Sequence, residues 1–305
     1  MSNQALAAGQ MGLGRALLIT TRPHQWTKNL LVFAALVFGS FKLRTLPQDE
    51  IVLRVAASLA AFAIFCAASS ACYLLNDVLD AERDRTHPLK RHRPVASGAL
   101  PARVALLFAA LLGLAAAAGG LALGLWFGAV VGAYLVLQLA YSLVLKHEVI
   151  LDVLSISAGF VLRAYAGAVA VRVEFSPWLM ICAGLLALFL ALAKRRHELL
   201  EVEGAASHRR SLADYTAQML DQMIAVVTAS TLMAYALYTI QSETGQKFGK
   251  LKYTIPFVIY GIFRYLYLVY SRQEGGNPSR HLLTDKPLLI DVFLYAAVSA
   301  WIVCG

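Results

Sequence analysis

Nine residues, Asn76-Asp77-Val78-Leu79-Asp80-Ala81-Glu82-Arg83-Asp84, close a long apolar run with a dense set of hard oxygen donors. At about 100° per residue, Asn76, Asp77, Asp80 and Asp84 fall at roughly 0°, 100°, 40° and 80° around a helix axis, while Glu82 points away. Three carboxylates on one face repel one another and resist desolvation unless a cation neutralises them. Oxygen donors without Cys or paired His suit Mg²⁺, which keeps few protein ligands and takes phosphate as its usual further partner. The pattern predicts a Mg²⁺–diphosphate site at a membrane surface. Asn76, Asp77, Asp80 and Asp84 are its expected metal ligands, and the three aspartates are the groups on which the chemistry depends.

Basic residues stand where a polyanion would need them. The chain continues as Arg85-Thr86-His87-Pro88-Leu89-Lys90-Arg91-His92-Arg93-Pro94. Lys90 and Arg91 suit either lipid headgroups or a substrate phosphate. Arg93 is the better aimed, because the neighbouring proline stiffens its flank. Further on, Lys194, Arg195 and Glu198 share a helix face, with Lys194 either a phosphate ligand or a snorkelling anchor. Ser211 and Asp214 resemble a helix start, for which Asp214 would be a cap. Lys146-His147 follows Tyr141, and an interfacial histidine such as His147 is more often structural. Lys28, in Arg22-Pro23-His24-Gln25-Trp26-Thr27-Lys28-Asn29, lies inside an apolar segment, where an ionisable group is a site candidate by default; Trp26 beside it reads as an interfacial anchor. Arg163 shares a helix face with Asp152 but at about 16 Å cannot touch it. Its partner is therefore a neighbouring helix or the substrate, and Asp291 carries the same ambiguity.

These groups need elements to hold them, and composition says which. Of 305 residues, 59% are hydrophobic and 15% charged, with a mean hydropathy of +0.64, outside the range of a soluble domain. Apolar stretches long enough to cross a bilayer recur at about 25–41, 51–75, 103–119, 121–143, 149–171, 177–193, 218–241, 252–271 and 287–303. The expectation is an all-α, polytopic membrane protein of about nine transmembrane helices, a single domain over 1–305 with a short tail, 1–24, that lacks the order of a removable signal peptide. The division at Gly119-Gly120 is the tightest. Cys66, Cys72, Cys182 and Cys304 show neither pairing nor metal spacing and read as small core residues. The net charge of +9 argues for membrane topology rather than nucleic acid. Most Lys and Arg fall in the N-terminal segment and the connections after spans 2, 4, 6 and 8, which the positive-inside rule puts in the cytosol with the carboxylate cluster.

The Asn-Asp-x-x-Asp-x-x-x-Asp run, followed by Arg93-Pro94 and Ser97-Gly98, resembles the first signature of the UbiA superfamily of intramembrane prenyltransferases. The likeness covers nearly the whole chain. The Arg22–Asn29 stretch, Tyr141 to His147 and Gly159-Phe160-Val161-Leu162-Arg163-Ala164 resemble a branch of that superfamily that moves phosphoribose onto a polyprenyl phosphate. Superfamily members carry a second aspartate-rich motif after span 6. Here Lys194-Arg195-Arg196-His197-Glu198 stands in its place, which favours phosphates that are not metal-bound. Tyr141 to Lys146 is one residue longer than the usual Tyr-x-x-x-Lys.

The resemblance implies a UbiA-like bundle in the plasma membrane, with a polar cavity and active-site loops facing the cytosol. It implies Mg²⁺-dependent transfer of 5-phosphoribose from 5-phosphoribosyl 1-diphosphate to a polyprenyl (decaprenyl) phosphate, releasing diphosphate and feeding synthesis of cell-wall arabinan precursors. Lys28, Asn76, Arg93, Lys146, Arg163, Lys194, Arg195 and Glu198 are the candidate substrate-binding residues. A homo-oligomer is compatible with this reading. The nearest rival is transfer of a prenyl group from a polyprenyl diphosphate to an aromatic acceptor, which the same aspartates would serve. A transporter of phosphorylated solutes is a rival of another class, against which stands the lack of any inverted repeat or paired broken helices.

Overall fold

The computed structural model describes residues 11–38, 46–174, 176–201, 210–272 and 284–304. Its regular elements are helical. In chain order they are α1 (Leu13–Thr21), a 3₁₀ segment (Pro23–Phe33), α2 (Ala34–Phe38), α3 (Gln48–Leu79), α4 (Ala81–Thr86), α5 (Ala102–Leu123), α6 (Leu125–Leu143), α7 (Leu151–Val171), α8 (Pro177–Glu201), α9 (Arg210–Ala213), α10 (Ala217–Gln241), α11 (Glu243–Lys247), α12 (Ile255–Ser271) and α13 (Lys286–Cys304). Eight helices among the described residues are long and apolar enough to cross a membrane, and they fall on eight of the nine expected spans. The protein is multi-pass.

The remaining span, 25–41, is built differently. Arg22 adopts a left-handed φ of 52° and Pro23 opens the 3₁₀ segment, so α1 stops before the stretch begins. Residues 39–41 lie outside the described residues. A second boundary also moves. The turn expected at Gly119-Gly120 occurs at Gly124, whose φ of 141° suits only glycine. Gly120 instead packs within α5 against Gly128 of α6, where an added Cβ would sit 3.3 Å from the facing Cα.

The chain forms two compact units: Met1–Val37 with Pro47–Leu145 and Leu162–Val173, and Phe38–Leu46 with Lys146–Val161 and Glu174–Gly305. In the first, α3 runs against α5, and α5 pairs with α6. Pro47 precedes α3, and Asp49 and Glu50 in its first turn complement the helix dipole. Phe65, on α3, meets Phe127 edge-on at 6.2 Å and Tyr134 at 5.2 Å. In the second unit α8 and α10 pack along their lengths, around Phe189, Leu192, Leu220, Ile224 and Tyr265. Thr216 caps α10, its hydroxyl accepting from the Met219 amide at 3.1 Å. That is the cap, in place of the one expected from Ser211 and Asp214. Cys66, Cys72 and Cys182 are unpaired, with Cys66 buried.

Candidate functional site

The carboxylate run ends α3, and the single residue Asp80 (φ −92°, ψ 0°) separates it from α4. The i→i−4 register survives the break, since the Asp80 amide donates to the Asn76 carbonyl at 2.9 Å and the Asp84 amide to the Asp80 carbonyl at 2.8 Å. The four side chains therefore stay on one side, as two stripes. Asp77 and Asp84 are buried, whereas Asn76 and Asp80 are half-buried and paired through Asn76 Nδ2 to Asp80 Oδ2 at 3.0 Å. Glu82 is exposed, as expected.

Two arginines neutralise the buried stripe. Arg93 Nη1 donates to Asp84 Oδ2 at 2.7 Å and to Asp77 Oδ1 at 3.3 Å, bridging the carboxylates. Arg22 Nη2 donates to the same Asp77 oxygen, and its guanidinium lies 5.0 Å from the Tyr73 ring centroid. Asp77 is 2% exposed, while Arg22 and Arg93 are 22% and 28% exposed. The pairs thus have a buried anionic end and a cationic end within reach of solutes. Arg22 was not among the expected site residues. Its signal was its place at the start of the same polar stretch as Lys28. Among the described residues no three His, Cys, Asp or Glu groups stand arranged as a metal cage. The donor chemistry of Asn76, Asp77, Asp80 and Asp84, all oxygen, nevertheless fits Mg²⁺.

The 3₁₀ segment carries Lys28, half-buried, and Asn29, buried. Arg163 of α7 answers the question of its partner: Nε donates to Asn29 Oδ1 at 2.8 Å and Nη2 to the Tyr134 hydroxyl at 2.6 Å, both within the first unit. Asn29 in turn donates to Ser69 Oγ at 3.2 Å. One turn beyond Arg163, a Cβ on Gly167 would overlap the Val32 carbonyl oxygen at 1.9 Å, so helix and segment meet backbone to backbone. Trp26 Nε1 donates to Ser70 Oγ at 3.1 Å, which makes it a tie to α3 instead of a simple interfacial anchor.

In the second unit the α8 terminus holds a different arrangement. Arg195 and Asp152 are both buried, at 2% and 0% exposure, joined from Nε to Oδ2 at 2.7 Å. Arg195 also pairs with Glu198, and Lys194 Nζ lies 3.8 Å from Glu198 Oε1. Arg195, expected to orient phosphate, thus acts first on the chain's own carboxylates, leaving Lys194 exposed and Glu198 half-buried. Lys146 is buried in a 3₁₀ turn, and its carbonyl accepts from Ser211 Oγ at 3.0 Å. Tyr215 donates its hydroxyl hydrogen to Asp152 Oδ1 at 2.9 Å and accepts from the Ile150 amide at 2.8 Å. Burial pushes the Tyr215 phenol up to about 12, so its proton stays in place near neutrality. Ser211 and Tyr215 were missed as partners of this turn, being 65 and 63 residues from the groups they touch. Asp291 is buried in α13 with a carboxylate oxygen 2.9 Å from where a Cβ on Gly261 would be.

A run of apolar spanning helices with an aspartate-rich break neutralised by two arginines is the arrangement of an intramembrane transferase of the prenyltransferase type. The model of the UbiA prenyltransferase family matches residues 30–283, and the chain belongs to that family. It is 37% identical to a decaprenyl-phosphate phosphoribosyltransferase of Corynebacterium glutamicum, over 96% of this chain and 86% of that one. It is 33% identical to the decaprenyl-phosphate phosphoribosyltransferase of Mycobacterium tuberculosis over the whole of both chains. Its fold is similar to that of a solved UbiA homologue from Archaeoglobus fulgidus bound to GPP and Mg²⁺, with a TM-score of 0.72 and 20% identity over 95% of this chain and all of that one.

Proposed function

We propose that this protein is a transferase that moves 5-phosphoribose from 5-phosphoribosyl 1-diphosphate to a polyprenyl phosphate and releases diphosphate. The observation that carries the reading is the pair of buried carboxylates, Asp77 and Asp84, bridged by the reachable guanidinium of Arg93. Such a group is built to meet a polyanion. The names of the relatives supply the transferred group and the acceptor. The whole chain, 1–305, is read as one functional domain, with its N-terminus and the aspartate-rich connection on the cytosolic side of the plasma membrane.

The chemistry needs little covalent help from the protein. A phosphate oxygen of the lipid forms the new bond to ribose C1 while the C1–O bond to diphosphate breaks, the electron pair leaving with diphosphate. That attacking oxygen is already anionic, so no general base is required. Positioning and electrostatics then supply most of the rate. Arg93 and Arg22 would meet the charge that builds on the departing diphosphate. Lys28, Lys146 and Lys194 are assigned the remaining phosphates, and Glu198, aligned by Arg195, a ribose hydroxyl. Arg163 serves by fixing Asn29 and with it the segment that bears Lys28. Asn76, Asp77, Asp80 and Asp84 would hold Mg²⁺, which supplies charge neutralisation at the diphosphate.

The test is incubation of the purified protein with labelled phosphoribosyl diphosphate and polyprenyl phosphate, followed by lipid extraction. Label is expected in the lipid, and the Asp80→Ala variant should lose about 100-fold or more of the rate while staying folded. Label from a polyprenyl diphosphate appearing on an aromatic acceptor, with none transferred from the phosphoribosyl donor, would replace this reading with the prenyl-transfer one.

A further inference from the structure

Ile150 has a φ of +70°. For a β-branched residue that is a genuine steric outlier, which persists only where the surroundings over-determine it. Glycine or asparagine would take this conformation far more readily. Ile150 ends the short connection that opens with the 3₁₀ turn Leu145–His147, immediately before α7. Local and long-range contacts hold that connection. The Ile150 carbonyl accepts from the Leu154 amide at 3.0 Å and the Glu148 carbonyl from the Asp152 amide at 3.1 Å, which ties it to the first turn of α7. Two reach across the sequence: Tyr215 receives the Ile150 amide, and Ser211 donates to the Lys146 carbonyl.

Asp152 stands behind both. Its Oδ1 receives the Tyr215 hydroxyl and its Oδ2 receives Arg195, while Ser211 Oγ lies 3.5 Å from Oδ2, at the limit of a hydrogen bond. Both carboxylate oxygens are engaged in a site that solvent does not reach. The phenol keeps its proton near neutral pH, so the relay runs in one direction, from the Ile150 amide to Tyr215 and from Tyr215 to Asp152.

We infer that Asp152 and Tyr215 are positioning residues: together they hold the left-handed turn at Ile150, and so set where Lys146 stands. This rests on the proposed activity in one respect only, that Lys146 meets a phosphate of the donor. Asp152 also holds Arg195, which sets Glu198. A single buried carboxylate thereby fixes two of the groups assigned to substrate.

Two measurements on the full-length protein test this. The first is amide hydrogen exchange over residues 146–151. Tyr215→Phe keeps the ring but leaves the Ile150 amide without its acceptor, and exchange there should rise about tenfold. Ile150→Gly accepts the same backbone without strain and keeps the amide bond to Tyr215, so it should leave the thermal midpoint unchanged or higher and exchange no faster than wild type. The second is steady-state kinetics. In Tyr215→Phe the KM for phosphoribosyl diphosphate should rise about tenfold with kcat little changed. Asp152→Asn, which can still accept from the phenol, should raise that KM less than Asp152→Ala does. Unchanged exchange in Tyr215→Phe would overturn the inference whatever the substrate proves to be. Faster exchange with an unchanged KM would overturn it too, leaving the transferase reading intact. A wild-type protein that labels no lipid would remove the phosphoribosyl reading by itself, and exchange at Ile150 would still decide whether the clamp exists.

Discussion

The two arginine–carboxylate clusters use the same chemical groups to opposite ends. In the first unit the acids are buried and the arginines are partly open, so under the proposed function the guanidiniums would trade a carboxylate for an arriving phosphate. In the second, Arg195 and Asp152 are both enclosed, and neither can change partner without leaving a bare charge in a dry interior. Access to the cationic end separates a group that can bind from one that holds the fold.

Substitutions can break that comparison. The largest effect is expected from Asp152→Ala, which strands Arg195 and should cost about 3–5 kcal/mol of stability, measured by denaturation in detergent beside a control at an exposed position. Arg93→Ala should destabilise less and act on function instead, raising the KM for the phosphoribosyl donor by about 10-fold to 100-fold, the worth of a charged hydrogen bond of roughly 1.5–3 kcal/mol. If the two variants behave alike in both assays, the open and the enclosed cluster do not differ in role. Gly167→Ala sharpens the picture of the first unit, because the methyl has no room beside the Val32 carbonyl. Overpacking of about 1–3 kcal/mol should appear as a lowered thermal midpoint. Lys194→Ala should change stability least, by less than about 1 kcal/mol, since the residue is half exposed and its ion pair long.

Much of this was legible in the chain. Hydropathy located eight spans because a bilayer demands a minimum apolar length, seven of them within about four residues, while α8 runs on to Glu201, past the expected end at 193. The helical period put Asn76, Asp77, Asp80 and Asp84 together because the register runs through Asp80 almost unbroken. What stayed hidden came from far away in sequence. Periodicity along one helix could not say that Arg22, 55 residues before Asp77, would neutralise it, nor that Tyr215 would reach Asp152. The left-handed residues Arg22, Ile150 and Arg172 were equally invisible, since none of these side chains favours the backbone it adopts. Gly119-Gly120 misled for the opposite reason: glycine permits a reversal there, but close helix packing uses it instead.

Arg22 joins a bend and a charge in one residue. Its backbone takes a left-handed angle ahead of Pro23, and its side chain, with Arg93, offsets the charge of Asp77. Glycine would ease the corner yet leave Asp77 only its longer bond to Arg93, and lysine would keep a cation while neither relaxing the angle nor reproducing the guanidinium contact with the Tyr73 ring. No single replacement improves one property without forfeiting the other, so position 22 should prove among the least permissive in a saturation library.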